Sequence, residues 1–147
     1  MRRHEFLTAL GVSAGTVFFA PFLVSCSKSS MNTIVPGPGG GTVDFTLDLT
    51  LSANAALNPV GGFLVSTNGV IVAHTDATTY VALASACTHQ GYVVAYDNAN
   101  TRFFCTNPAP GHGSLYKTNG VVISGPAPSA LKMYNTMLTG TSLRVFA

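Results

Sequence analysis

The sequence predicts an all-β domain, and three observations predict it. Apolar and polar residues alternate over Val43–Leu51. Short apolar runs recur with turn residues between them, about one turn every ten positions. Asn68-Gly69 and Asn119-Gly120 each sit between two such runs, where a hairpin turn belongs. Many short strands at this spacing build a small antiparallel sandwich or barrel.

Each element follows from its pattern. Val43, Phe45, Leu47, Leu49 and Leu51 alternate with Asp44, Thr46, Asp48 and Thr50, a period of two that marks a half-buried strand. Ala53–Leu57 is the one short stretch with helical character. Phe63–Ser66, a turn around Asn68-Gly69 and Val70–Ala73 form a hairpin, with Asn-Gly supplying the positive φ values of a tight turn. Tyr80–Leu83 is a further strand. Tyr92–Tyr96, the polar turn Asp97–Asn100 and Arg102–Cys105 form a second hairpin. Leu115-Tyr116, a turn at Asn119-Gly120 and Val121–Ile123 form a third. Leu131–Leu138 and Ser142–Phe146 close the chain around Thr139-Gly140-Thr141.

The chain has 147 residues, 47% hydrophobic and 8% charged, which suits one domain of ordinary size. From Cys26 onward five Lys/Arg face four Asp/Glu, a net charge of about +1 with no basic run. Nucleic acid is thereby excluded as a partner, since gripping phosphates needs clustered cations. The apolar stretch Leu7–Val24 follows Arg2-Arg3, is rich in small residues and falls short of the ~20 uninterrupted apolar residues of a spanning helix. A charged start, an apolar middle and small residues at its end read as an export signal over residues 1–25. Leu23-Val24-Ser25-Cys26 resembles a bacterial lipobox, which implies lipidation of Cys26 and a membrane-anchored lipoprotein of the cell envelope, facing the periplasm or the cell exterior. Arg2-Arg3, two residues ahead of Phe6-Leu7, also resembles a twin-arginine signal, a route for proteins exported already folded. Residues 26–42 are rich in Ser, Gly and Pro and read as a flexible tether, leaving 43–147 as the folded domain.

The chemistry lies in two segments. Cys87-Thr88-His89-Gln90-Gly91 follows one strand, and Cys105 to Tyr116 follows another. The hairpin between them returns the chain, so the two segments lie side by side at one tip of the sheet. Two thiolates and two imidazoles then converge. A disulfide is the ordinary reading of two Cys in an exported protein, but it does not require a His downstream of each in a Gly-rich loop. Elsewhere the signals are bland. His74 reads as a partly exposed strand-end His, and Asp44, Asp48, Asp76 and Asp97 as solvated charges. Tyr80, Tyr96 and Phe146 read as packing aromatics. No acid is placed to orient a Cys–His nucleophile.

These loops resemble the Rieske iron–sulfur family. Cys87-Thr88-His89-Gln90-Gly91 matches its first loop, His112-Gly113-Ser114-Leu115-Tyr116 its second, and Gly125-Pro126-Ala127-Pro128 the segment that covers the cluster. The resemblance implies a small antiparallel β-sandwich or barrel with two metal-binding loops at one tip, holding a [2Fe–2S] cluster. Cys87 and Cys105 would bind the inner iron, and His89 and His112 the outer one. Ser114 and Tyr116 fall where hydroxyls hydrogen-bond to cluster or Cys sulfur, which raises the potential. The implied role is electron transfer with redox protein partners, a quinol-oxidising complex or a c-type cytochrome, rather than catalysis by this chain alone.

Two features depart from the family pattern. Six residues, Thr106–Gly111, separate Cys105 from His112 where the family has two. Pro108, Pro110 and Gly111 suit a turn that loops outward, which would leave both ligands in place; the insertion could equally displace His112. Tyr92 and Gly111 occupy the positions of a disulfide that joins the two loops in high-potential members, so that clamp is absent. Three other readings stay open. Phe103–His112 also resembles the copper loop of azurin-type cupredoxins, although the next Met is the distant Met133. A tetrahedral zinc site is chemically adequate. The fold could also lack a cluster and serve as a binding module.

Overall fold

The computed structural model describes residues 42–147. The export signal, Cys26 and all but the last residue of the tether lie outside the described residues. Among the described residues, short β-branched and aromatic runs form ten strands: β1 (Asp44–Asp48), β2 (Phe63–Val65), β3 (Val70–Asp76), β4 (Thr79–Ala84), β5 (Val94–Asp97), β6 (Arg102–Cys105), β7 (Leu115–Lys117), β8 (Val122–Ser124), β9 (Met133–Thr139) and β10 (Ser142–Phe146). Ser52–Leu57 is a single 3₁₀ helix.

Six strands pair in the order β1-β10-β9-β4-β3-β2, and four in the order β5-β6-β7-β8. Every pairing is antiparallel. The four-stranded meander is inserted between β4 and β9, which are themselves neighbours in the larger sheet. In an antiparallel meander the start of β5, the end of β6, the start of β7 and the end of β8 share one end. The connections 85–93, 106–114 and 125–132 therefore meet at a single tip.

The continuous apolar run in β3 has a structural cause. A strand buried on both faces need not alternate. Ile71 and Ala73 face one core with Val81, Leu83, Val94, Tyr96, Phe103 and Tyr116, between the two sheets. Val70 and Val72 face a second core with Leu57, Tyr80, Ala82, Leu143 and Val145. Val70, Ile71, Val72 and Leu83 have no exposed surface, and full burial of such side chains stabilises the fold by about 1.5–3 kcal/mol each.

The hairpins use a turn slightly longer than expected. Gly69 N–H donates to the Ser66 carbonyl at 3.1 Å, and Gly120 N–H to the Lys117 carbonyl at 2.9 Å. Only the glycines take positive φ there, +73° and +83°, while Asn68 and Asn119 do not. A type I turn closed by one left-handed residue needs no second positive φ. The β5–β6 turn is built alike, with Thr101 at φ +49° in the glycine position.

His74 corrects the sequence reading. It is not a partly exposed strand-end residue; it lies within β3 at 6% exposure, stacked on Tyr80 with ring centroids 4.3 Å apart. The reason is its parity. His74 shares the face of Val70 and Val72, which the second core covers. Neither ring nitrogen has a hydrogen-bond partner, and a buried unpaired polar group costs about 1–3 kcal/mol. The His74→Phe variant keeps the stack and removes that cost, so its thermal midpoint should rise by about 4 °C or more. An unchanged or lower midpoint would show that the imidazole is satisfied in solution.

Candidate metal centre

The site is built by strand pairing. Ser85 accepts the Val94 N–H at 2.8 Å, and Ala86 bridges Val93, so the first loop leaves and returns on adjacent backbone. Within it Cys87 N–H donates to the Tyr92 carbonyl at 2.7 Å and Gly91 N–H to the Cys87 carbonyl at 2.8 Å. Cys105 ends β6 opposite Val94 and donates its N–H to the Ser114 carbonyl at 2.9 Å. The two cysteines are thus placed by the ends of β4 and β6. Both are buried and free of disulfide.

The insertion before His112 loops outward. Pro108, Ala109, Pro110 and Gly111 are all exposed. The Asn107 side-chain carbonyl accepts the Ala109 N–H at 3.0 Å, and the Ala109 carbonyl accepts the His112 N–H at 3.3 Å. Gly111 takes φ +83° to make that turn. The result returns His112 to the tip, where its ring centroid lies 4.8 Å from that of His89. Of the two outcomes left open for the longer loop, the structure has the outward bulge.

Tyr116, in β7, has no exposed surface, and its hydroxyl reaches the first loop. It lies 3.1 Å from Cys87 Sγ and accepts the Thr88 N–H at 3.3 Å. Because its oxygen accepts from Thr88, its proton is free to point at the sulfur. Ser114, also fully buried, accepts the Ala127 N–H at 3.1 Å. Gly125 packs so tightly on Ser114 that a Cβ there would sit 2.5 Å from the Ser114 Cα, at φ +99°. Thr88 donates its hydroxyl to the Ser129 carbonyl at 2.7 Å. The connection 125–132 is therefore tied to both other loops; within it Ala127 is buried while Pro126 and Pro128 are exposed.

The thiols are unequal. Burial pushes Cys87 up, but hydrogen bonds from the Tyr116 hydroxyl, the His89 backbone N–H, the Cys105 thiol and the Ser114 hydroxyl outweigh it, leaving Cys87 below its ordinary value. Burial pushes Cys105 up, and although the Asn107 N–H opposes this, the neighbouring Cys87 adds to it. Burial, then Cys87, likewise raises the Tyr116 hydroxyl. Cys87 is thus the more readily ionised of the two, and a metal held on both sulfurs displaces the protons they still carry.

The donor set fits an iron–sulfur cluster. His89 Nδ1 is buried without a hydrogen-bond partner, as a nitrogen reserved for a metal would be. Two soft sulfurs lie buried and two imidazoles lie half-buried above them. Among the described residues no three His, Cys, Asp or Glu side chains converge on one ion, whereas a two-iron cluster asks each iron for two protein ligands. Met133, which a copper loop would need near His112, is 55% exposed at the start of β9. Two contributors escaped the sequence reading. Thr88 was only the spacer of the first motif, and Tyr92 only the place of a missing cysteine. Tyr92 stands 6.4 Å from His112, ring to ring.

The family model for the Rieske [2Fe-2S] domain matches residues 50–135. The cytochrome b6-f complex iron-sulfur subunit of Synechococcus sp. (strain JA-3-3Ab) is 30% identical over 152 residues, covering 98% of this chain and 86% of that protein. The corresponding subunit of Chlorobaculum thiosulfatiphilum is 40% identical over 62 residues, 42% of this chain and 32% of that one. The ferredoxin of carbazole 1,9a-dioxygenase from Nocardioides aromaticivorans IC177 shares the fold, with a TM-score of 0.50 at 16% identity over 72% of this chain and 97% of that one. An all-β domain with thiol and imidazole pairs on two loops, matched over residues 50–135, belongs to the Rieske [2Fe–2S] family and carries a [2Fe–2S] cluster for electron transfer.

Proposed function

We propose that this chain is a lipid-anchored electron carrier of the cell envelope in which Cys87, His89, Cys105 and His112 hold the cluster. The observation that carries the reading is the convergence of the His89 and His112 rings, at 4.8 Å, from two loops whose cysteines are buried side by side. A cluster with two thiolate and two imidazole ligands exchanges one electron at a time, at a potential of about −150 to +300 mV.

The residues divide that task. Cys87 and Cys105 hold the inner side, shielded by the core that includes Tyr116 and Leu131. His89 and His112 form the half-buried outer edge, where a partner approaches. His89 Nδ1 is buried without a partner, and holding the metal through it would leave Nε2 facing outward. The Ser114 and Tyr116 hydroxyls direct protons at sulfur and favour added negative charge there. Gly125–Pro128 excludes water from one side, tied down through Ser114 and, by way of Ser129, through Thr88. The membership of the relatives in cytochrome b6-f complexes supports a quinol-oxidising complex as a redox partner. The lipobox-like Leu23–Cys26 supports attachment through Cys26 after removal of residues 1–25.

The test is low-temperature EPR with iron and sulfide analysis of the full chain, purified without air and reduced with dithionite. A rhombic signal with an average g below that of all-Cys clusters, and two irons per chain, is expected. The His112→Ala variant should lose that signal. A folded chain without iron, or a His112→Ala variant with the wild-type spectrum, would refute the ligand assignment.

Ser114→Ala and Tyr116→Phe should each retain the cluster and lower its potential, because each removes a donor that favours added charge on sulfur. The scale is about 60 mV for every tenfold loss of preference for the reduced form. Redox titration followed by EPR measures it, and unchanged potentials would remove these hydroxyls from the account. Deleting Asn107–Pro110 restores the family length of the second loop, and the deleted chain should keep its cluster. Loss of iron from the folded deletion variant would show that the bulge supports His112 rather than merely looping away from it.

A further inference from the structure

We propose that Tyr92 is a positioning residue for His112, holding the imidazole against His89 where no covalent link joins the two loops. This rests on the assignment of His112 as a ligand. Among the described residues both cysteines of the site are free, so no disulfide spans the tip. His112 hangs on the longer loop through backbone turns alone, by its N–H to Ala109 and by the Ser114 N–H to its own carbonyl at 2.7 Å. Those bonds fix its backbone and leave its ring free to swing.

The ring is held from the first loop. His89 lies on one contact at 4.8 Å and an interplanar angle of 44°, and Tyr92 on another at 6.4 Å and 50°. Both are tilted arrangements within the range of about 4.5–7 Å in which aromatic rings attract. Tyr92 is a rigid support because its backbone is not free to move. Its carbonyl accepts the Cys87 N–H at 2.7 Å, Gly91 N–H donates to Cys87, and Val93 next to it bridges Ala86. Its side chain is nevertheless 48% exposed, so it adds little to either core. A large aromatic placed at the rim, with its backbone tied to a ligand cysteine and its ring on a ligand histidine, has a role at the site and not in the fold.

Tyr92→Ala, Tyr92→Ser and Tyr92→Phe in the full chain separate these roles. The readouts are cluster loss in the presence of an iron chelator, the EPR line widths of the reduced form, and the thermal midpoint of the metal-free fold. Tyr92→Ala and Tyr92→Ser should lose iron about ten-fold faster than wild type, the scale on which groups supporting ligands act. Their EPR lines should broaden as His112 samples several orientations, with the thermal midpoint unchanged. Tyr92→Phe should behave as wild type, because the contact is made by the ring. Wild-type iron retention and line widths in Tyr92→Ala would overturn this proposal while leaving the ligand assignment intact. A wild-type chain with no cluster would remove both.

Discussion

The tip depends on one constraint, the parity of an antiparallel meander inserted between two strands that already pair. β4 and β9 are neighbours, and β5–β8 leave and return between them. Every connection that is not one of the meander's own tight turns must then emerge at the same end. Three loops meet there whatever their lengths. The cysteines need no long-range signal beyond this, since Cys87 lies three residues past β4 and Cys105 is the last residue of β6. Because β3 and β4 serve two cores at once, the strand that launches the first loop is among the most deeply buried elements. The platform is thus most deeply buried where the first loop starts.

Polar groups at the base of the tip would be a liability in an ordinary core. Tyr116 and Ser114 are both fully buried, and each uses its oxygen on a backbone N–H of another loop, Thr88 and Ala127 respectively. That leaves their protons for sulfur. The same two hydroxyls therefore join the three loops and act on the Cys87 sulfur. A methyl or ring hydrogen in their place would break a loop contact and a sulfur contact together. His74 is the contrast: it is buried with both nitrogens unpartnered and has no place in the chemistry.

The all-β class, the three hairpins and the positions of the motif residues were legible in the sequence because period-two alternation and Asn-Gly turns act locally. β6 was read at its observed bounds, while β1 is shorter than its alternating pattern, ending at Asp48 where the chain turns toward the 3₁₀ helix. The burial of His74 was not legible, since it depends on β10 and β1 folding a second core over the outer face of β3. Thr88 and Tyr92 were missed for a related reason. Their roles lie in contacts to Ser129 and His112, 41 and 20 positions away, and neither residue type carries a signal of its own. The insertion was seen, but its direction was not, because that depends on what holds its two ends.

Those ends are held, which is why the longer loop is compatible with the site. Thr106 donates both its N–H and its hydroxyl to the Val93 carbonyl, at 3.1 and 2.7 Å. On the far side Ser114 is fixed by Cys105 and by Ala127. Residues added between two fixed points change only the closure entropy of the segment. Lengthening it from two residues to six adds about 1 kcal/mol, less than full burial of one aliphatic side chain contributes. Part of that cost is offset locally, since Asn107 caps the turn and Pro108 and Pro110 restrict the unfolded chain. What the extra length does remove is control over the ring of His112, which no longer follows from the position of Cys105 two residues away. A contact from the first loop, made by a side chain on fixed backbone, restores it without touching the second loop at all.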